Sequence, residues 1–84
     1  LVEGFEAQTN KILKNIDALL KSCDLKRENI IKTSVFLTDL GNFSKVNDAY
    51  VSYFSEPYPA RSCVEVSALP KDALVEIEVI ATKD

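Results

Sequence analysis

Histidine, methionine and tryptophan are missing from this sequence altogether, glycine occurs twice, proline three times and cysteine twice. Each shortage excludes something. Without histidine, one chain holds no Ser-His or Cys-His pair to activate a nucleophile and no imidazole to ligate a metal. Cys23 and Cys63 are too few for a zinc cage or a disulfide framework. Gly4 and Gly41 cannot make a glycine-rich phosphate loop, and no Asp/Glu cluster has the spacing of a metal-binding loop. No apolar run approaches the ~18 residues of a membrane span, and no signal-peptide pattern is present. Ten Lys and Arg face thirteen Asp and Glu, a net charge of −3, which argues against the basic stripe of a nucleic-acid surface. Lys14, Lys21, Lys26, Arg27 and Lys32 lie among acids and read as solvated faces. Two unpaired cysteines suit a reducing compartment, so a cytoplasmic or mitochondrial location is expected.

What remains is ordinary for a globular domain: 84 residues, 46% hydrophobic and 27% charged. Residues 1–84 are read as one domain. A chain of this size buries only roughly 60–65% of its unfolded surface, so its core is marginal alone. Opening on Leu1-Val2-Glu3 without a methionine, it is expected to be the remainder of something longer.

The spacing predicts a helix over 3–23, with Phe5, Ile12, Leu13, Ile16, Leu19, Leu20 and Cys23 on its apolar side and Cys23 in the core. After a polar connection over 24–29, the β-branched and aromatic run 30–38 predicts a strand. Asp39 to Asn42 is a turn, with Asn42 the N-cap of a second helix carrying Phe43, Val46, Tyr50, Tyr53 and Phe54, stopped by Pro57 and Pro59. Segments 61–67 and 74–82 alternate with period two and predict strands. The short connection between them, Ala68 to Ala73, suggests an antiparallel hairpin. The order is helix, strand, helix, strand, strand: an α+β layer with two helices on one side of a small sheet.

If Val64 and Val66, with Val75, Ile77, Val79 and Ala81, cover the helices, the opposite face collects Arg61, Cys63, Glu65, Glu76, Glu78 and Ile80. A charged sheet face that no part of the chain covers is the most pointed expectation. On it, Arg61 offers a rigid fork of donors suited to a carboxylate-bearing metabolite, or else an ordinary cross-strand pair with Glu78 or Glu76. Glu76, flanked by Val75 and Ile77, reads either as a general acid or base able to position a water, or as the wet side of a sheet. Cys63 lacks any base to take its proton and reads as a small buried side chain whose backbone matters more than its sulfur. Asn47, near the start of the second helix, reads as a polar residue on the protein surface.

The run Tyr58-Pro59-Ala60-Arg61-Ser62-Cys63-Val64-Glu65-Val66, followed by Leu69-Pro70-Lys71-Asp72-Ala73-Leu74-Val75-Glu76-Ile77-Glu78-Val79-Ile80-Ala81, resembles the C-terminal signature of the RidA/YjgF family of reactive-intermediate deaminases. Ile31 to Leu40, then Phe43 and Val46-Asn47-Asp48-Ala49-Tyr50, resemble the family's middle strand and second helix, and Gln8 to Ile16 its first helix. The resemblance covers essentially the whole chain.

It implies a homotrimer of chorismate-mutase-like α+β subunits, with ligand sites in clefts between subunits. The implied activity is hydrolysis of 2-imino acids, tautomers of the enamines released by PLP-dependent dehydratases, to 2-keto acids and ammonia. Carried over by position, Arg61 matches the arginine that grips the substrate carboxylate and Cys63 a residue whose backbone frames the site. Glu76 matches the glutamate proposed to orient the attacking water, and Asn47 an asparagine near the pocket. Neither a metal nor a cofactor is implied. The alternatives are a metabolite-binding or regulatory module using the same Arg61 without turnover, and an RNA-cleaving translation inhibitor, which the acidic composition makes the weaker of the two. Nothing in the sequence matches the family's N-terminal strands, with their aromatic residue and Ser-Gly turn, so about a third of the usual fold is expected to be absent.

Overall fold

In a computed structural model that describes residues 4–83, two helices lie on one face of a three-stranded sheet. Helix α1 (Phe5–Ser22) follows Gly4, whose φ of 83° is a left-handed conformation that a side chain would strain. The helix ends in a Schellman turn: the Leu25 N–H donates to the Leu20 carbonyl at 2.8 Å and the Asp24 N–H to that of Lys21 at 3.1 Å, with Asp24 at φ 59°. Leu25 then packs beside Leu20, closing the turn against the core. The expected start at Glu3 lies outside the described residues.

The buried side of α1 is narrower than the apolar stripe suggests. Phe5, Ile16 and Leu20 are buried, whereas Leu19 is 66% exposed and Cys23, expected in the core, sits exposed at the C-cap. The buried positions Gln8 and Thr9 complete that face. Thr9 Oγ1 donates to the Phe5 carbonyl at 2.8 Å, and the Gln8 side-chain oxygen accepts from the Leu74 N–H at 2.8 Å, tying α1 to the last strand. Polar side chains thus enter the core with their hydrogen-bonding needs met.

Strand β1 (Ile30–Leu37) is central, with β2 (Ala60–Glu65) parallel on one edge and β3 (Val75–Ala81) antiparallel on the other. The predicted β2–β3 hairpin does not form. Those strands do run in opposite directions, but β1 lies between them. The reason is the connection through helix α2 (Phe43–Tyr53), which carries the chain back so that β2 joins β1 in parallel, as a strand-helix-strand crossover requires. Segment 66–74 then crosses the end of β1, where the Leu37 carbonyl accepts from Val66 N–H at 2.7 Å and the Leu74 carbonyl from Thr38 N–H at 3.3 Å. The central place goes to the strand with the most to bury: Thr33, Val35 and Leu37 are each at most 1% exposed.

Two contiguous clusters make the core. One joins Phe5, Val35, Leu37, Val46 and Val75; the other joins Ile16, Leu20, Ile30, Tyr53 and Phe54. Before α2, Asn42 holds the N-cap position without a side-chain cap bond, since its φ of −85° and ψ of 6° belong to the preceding 3-10 turn rather than to extended backbone. Asp39 does that work one turn earlier, accepting from the Gly41 N–H at 2.9 Å. A Cβ at Gly41 would meet that same carboxylate oxygen at 3.0 Å, so a larger residue there would require the Asp39 side chain to shift.

Candidate functional site

Register across the sheet decides which side chains share a face. Thr33 aligns with Arg61 and Val79, Val35 with Cys63 and Ile77, and Leu37 with Glu65 and Val75. Because Thr33, Val35 and Leu37 are buried beneath the helices, Arg61, Cys63 and Glu65 lie on the helix side. The other face carries Ser34, flanked by Ser62 and Glu78, and Phe36, flanked by Val64 and Glu76.

The expected grouping of Arg61, Cys63 and Glu65 with Glu76, Glu78 and Ile80 is therefore corrected, as is the cross-strand pairing of Arg61 with Glu76 or Glu78. In β2 the alternation does not mark the core by its valines. Val64 is 47% exposed, and it is the smaller Cys63 that packs against Val35's cluster beneath α2. The open face is consequently amphipathic rather than purely charged, with Val64, Ile80 at 56% exposure and part-exposed Phe36 beside the two glutamates.

Arg61 occupies a built setting. Its Nη1 donates to the Asn47 side-chain oxygen at 2.5 Å, and its guanidinium carbon stands 4.9 Å from the Tyr50 ring centre and 5.2 Å from that of Phe43. These are hydrogen-bond and cation–π distances, so the planar head is held by one acceptor and two aromatic rings. Asn47 and Arg61, singled out independently in the sequence, thus meet. From the sequence, Phe43 and Tyr50 read only as parts of an apolar stripe. The signal for them was present: positions 43, 47 and 50 fall at i, i+4 and i+7 on one helix face.

Cys63 lies two residues along the same face of β2 from Arg61. Burial pushes its thiol pKa up, and the nearby Arg61 charge only partly opposes this, so the sulfur is held as a thiol rather than a nucleophilic thiolate. Glu65 serves a local purpose: one carboxylate oxygen accepts from the Leu40 N–H at 2.7 Å, fixing the turn that launches α2. Glu76 stands part-exposed on the opposite side of the sheet from Arg61, so one chain does not bring the two together. Among the described residues, no group of acidic and thiol side chains is arranged to hold a metal ion, and no helix is long and apolar enough to cross a membrane.

A second polar cluster lies elsewhere. Arg27, expected to be a solvated cation, grips Asp17 through Nε at 3.0 Å and Nη2 at 2.8 Å, donates to the Tyr53 carbonyl at 3.1 Å and covers the Tyr53 ring at 3.9 Å. The Tyr53 hydroxyl also donates to Asp17. The Arg27 hydrogen bonds hold the Asp17 carboxyl below its ordinary value despite partial burial, while burial and then Asp17 push the Tyr53 phenol well above its own. This cluster borders a cleft of about 510 Å³ between α1 and α2, whose lining includes none of Arg61, Asn47, Cys63 and Glu76.

Comparison with known proteins agrees with this architecture. Residues 1–83 match the family profile of endoribonuclease L-PSP. The chain is 44% identical over 86 residues to a 2-iminobutanoate/2-iminopropanoate deaminase of Salmonella typhimurium, covering 99% of this chain and 67% of that protein. It is 47% identical over 85 residues to a RutC family protein of Aquifex aeolicus, covering 99% and 68%. The crystal structure of RidA from an Antarctic Psychrobacter superimposes with a TM-score of 0.94 at 44% identity, covering 96% of this chain and 66% of that one. The chain thus spans about two thirds of the length of these relatives.

Proposed function

This chain belongs to the endoribonuclease L-PSP family, within its RidA/YjgF group, and on that footing we propose that the protein hydrolyses reactive 2-imino acids. Water adds to the imine carbon and the resulting carbinolamine expels nitrogen, giving a 2-keto acid and ammonia. The deaminase name of the Salmonella relative supports the reaction class. The observation that carries the reading is the holding of Arg61 by Asn47, Phe43 and Tyr50. A cation so restrained is prepared for a carboxylate, because less side-chain freedom is lost when the ligand binds.

An imine is already electrophilic, so anchoring the substrate and placing a water supply most of what catalysis needs. In this reading Arg61 binds the carboxylate, Cys63 frames the site through its backbone, Asn47 orients Arg61, and Glu76 orients the water. Arg61 and Glu76 occupy opposite faces of one sheet, which supports a site assembled from different copies of the chain. The assembly we propose is a homotrimer with its ligand clefts between subunits. Exposed Val64 and Ile80, on the same sheet face as Glu76, give a partner subunit apolar surface to cover. The location we propose is the cytoplasm.

The test generates 2-iminobutyrate with a PLP-dependent dehydratase, traps it with semicarbazide, and compares trapping with wild type and Arg61→Ala. Wild type should lower the trapped fraction and release ammonia, and Arg61→Ala should not. Equal protection by both removes Arg61 from the reaction. Binding of a 2-keto acid without ammonia release would instead indicate a sensing module.

A further inference from the structure

Tyr50 reaches Arg61 from two directions. Its ring faces the guanidinium at 4.9 Å. Its hydroxyl donates to the Pro59 carbonyl at 2.8 Å and accepts from Thr33 Oγ1 at 3.3 Å. Pro59 lies two residues before Arg61, and Thr33, 1% exposed, is Arg61's aligned partner on β1. One side chain on α2 therefore fixes the base of Arg61 through the backbone that enters β2, and its head through the ring.

The need for such a clamp follows from position. Arg61 is the second residue of an edge strand, it follows the loop 54–59, and its side chain is among the most rotamer-rich. Tyr50 is itself held in place: its ring lies 4.7 Å from that of Phe54 and 6.3 Å from that of Tyr58. With Nη1 taken by Asn47, the direction in which Arg61 offers its remaining N–H donors depends on where these contacts set the guanidinium plane.

We propose that Tyr50 is a positioning residue for the carboxylate anchor, acting on substrate only through Arg61. The inference rests on reading Arg61 as that anchor. Tyr50 does not transfer a proton or touch the imine; it fixes the angle and position at which the carboxylate is received. Its hydroxyl and its ring make separable contributions, the first setting the strand entrance and the second the guanidinium plane.

The experiment measures imine hydrolysis and equilibrium binding of 2-ketobutyrate for wild type, Tyr50→Phe, Tyr50→Leu, Arg61→Ala and the double variant Tyr50→Phe/Arg61→Ala. Tyr50→Phe keeps the ring and should raise KM and Kd about fivefold, the scale of one neutral hydrogen bond, with kcat within about twofold. Tyr50→Leu loses both contributions and should weaken binding further. The uncharged 2-ketobutyramide should bind wild type and Tyr50→Phe equally, and Tyr50→Phe should add nothing in the Arg61→Ala background. In the ligand-free protein, the ¹⁵N relaxation of Arg61 Nε should show an ordered side chain in wild type and a mobile one in Tyr50→Leu, a signature that needs no turnover. Equal loss for the amide, additive effects in the double variant, or an Arg61 Nε unchanged in Tyr50→Leu would overturn the inference while leaving Arg61's own role standing. If Arg61→Ala binds and turns over as wild type, the anchor reading fails instead.

Discussion

Replacing Asn47 with aspartate exchanges a neutral acceptor for a charged one at nearly constant shape. In the native protein the Asn47 side-chain oxygen lies 2.5 Å from Arg61 Nη1. A carboxylate in that place forms a charge-assisted hydrogen bond worth about 1.5–3 kcal/mol, against about 1 kcal/mol for the neutral bond. An incoming substrate carboxylate must then compete for the same guanidinium and also approach a like charge. The stronger bond adds about 0.5–2 kcal/mol to what the ligand must displace and the like charge about 1 kcal/mol, a net penalty of about 1.5–3 kcal/mol or roughly 10- to 150-fold weaker binding. The folded protein should lose nothing, because aspartate keeps the acceptor that Asn47 supplies and adds an opposite charge beside Arg61. The assay is calorimetric titration with 2-ketobutyrate beside a thermal melt. Asn47→Asp should show the weakened Kd with an unchanged or slightly raised Tm, whereas Asn47→Ala, which only frees Arg61, should weaken binding about threefold to fivefold. Added salt should narrow the gap between wild type and Asn47→Asp as the charges are screened. Wild-type affinity in Asn47→Asp would refute the reasoning, since a carboxylate at hydrogen-bond distance cannot leave the anchor unaffected.

Other consequences test the scaffold. Leu37→Ala, at a fully buried position of the central strand, should cost about 3–5 kcal/mol and lower the urea midpoint sharply; a loss under about 1 kcal/mol would mean β1 is not central. Arg27→Ala should lower Tm at neutral pH, by a modest amount because the Asp17 pair is part-exposed at 46% and 39%. Asp17's folded pKa is depressed, chiefly by Arg27, so its contribution is present above the unfolded carboxylate value of about 4 and fades as pH falls through the folded value. The Tm difference between wild type and Arg27→Ala should therefore be constant above pH ~5 and shrink below pH ~4; a constant difference down to pH ~2 would remove the ion pair from the account. Iodoacetamide at pH 7 should alkylate exposed Cys23 well before Cys63, whose thiol is part-buried and raised in pKa, as peptide mapping would show. Cys63→Ser should retain kcat within a few-fold, in keeping with a backbone role; loss of turnover with the fold intact would make the sulfur chemical.

Local pattern carried much of the fold. The 3.6-residue spacing of Phe5, Ile12, Ile16 and Leu20 marked α1, and the β-branched run from Ile30 marked β1, because both signals depend on neighbours within a few residues. Cys23 misled because an apolar stripe does not say where the helix leaves the core, and the Schellman turn at Asp24 carries the chain away there. Arg27 misled for the opposite reason: its acid, Asp17, lies ten residues back on α1 and its aromatic partner, Tyr53, at the end of α2. No local window contains both.

By itself, the sequence determined the kind and order of the elements, the family, and the residue types able to hold a carboxylate. Only the tertiary structure decided that β1 separates β2 from β3, that Arg61 and Cys63 turn toward the helices while Glu76 turns away, and that Asn47, Phe43 and Tyr50 surround Arg61. Periodicity is a property of one segment, set by backbone geometry. Strand partners and faces belong to pairs of segments, set by where a crossover helix returns the chain and by which side chains the shared core has room to bury.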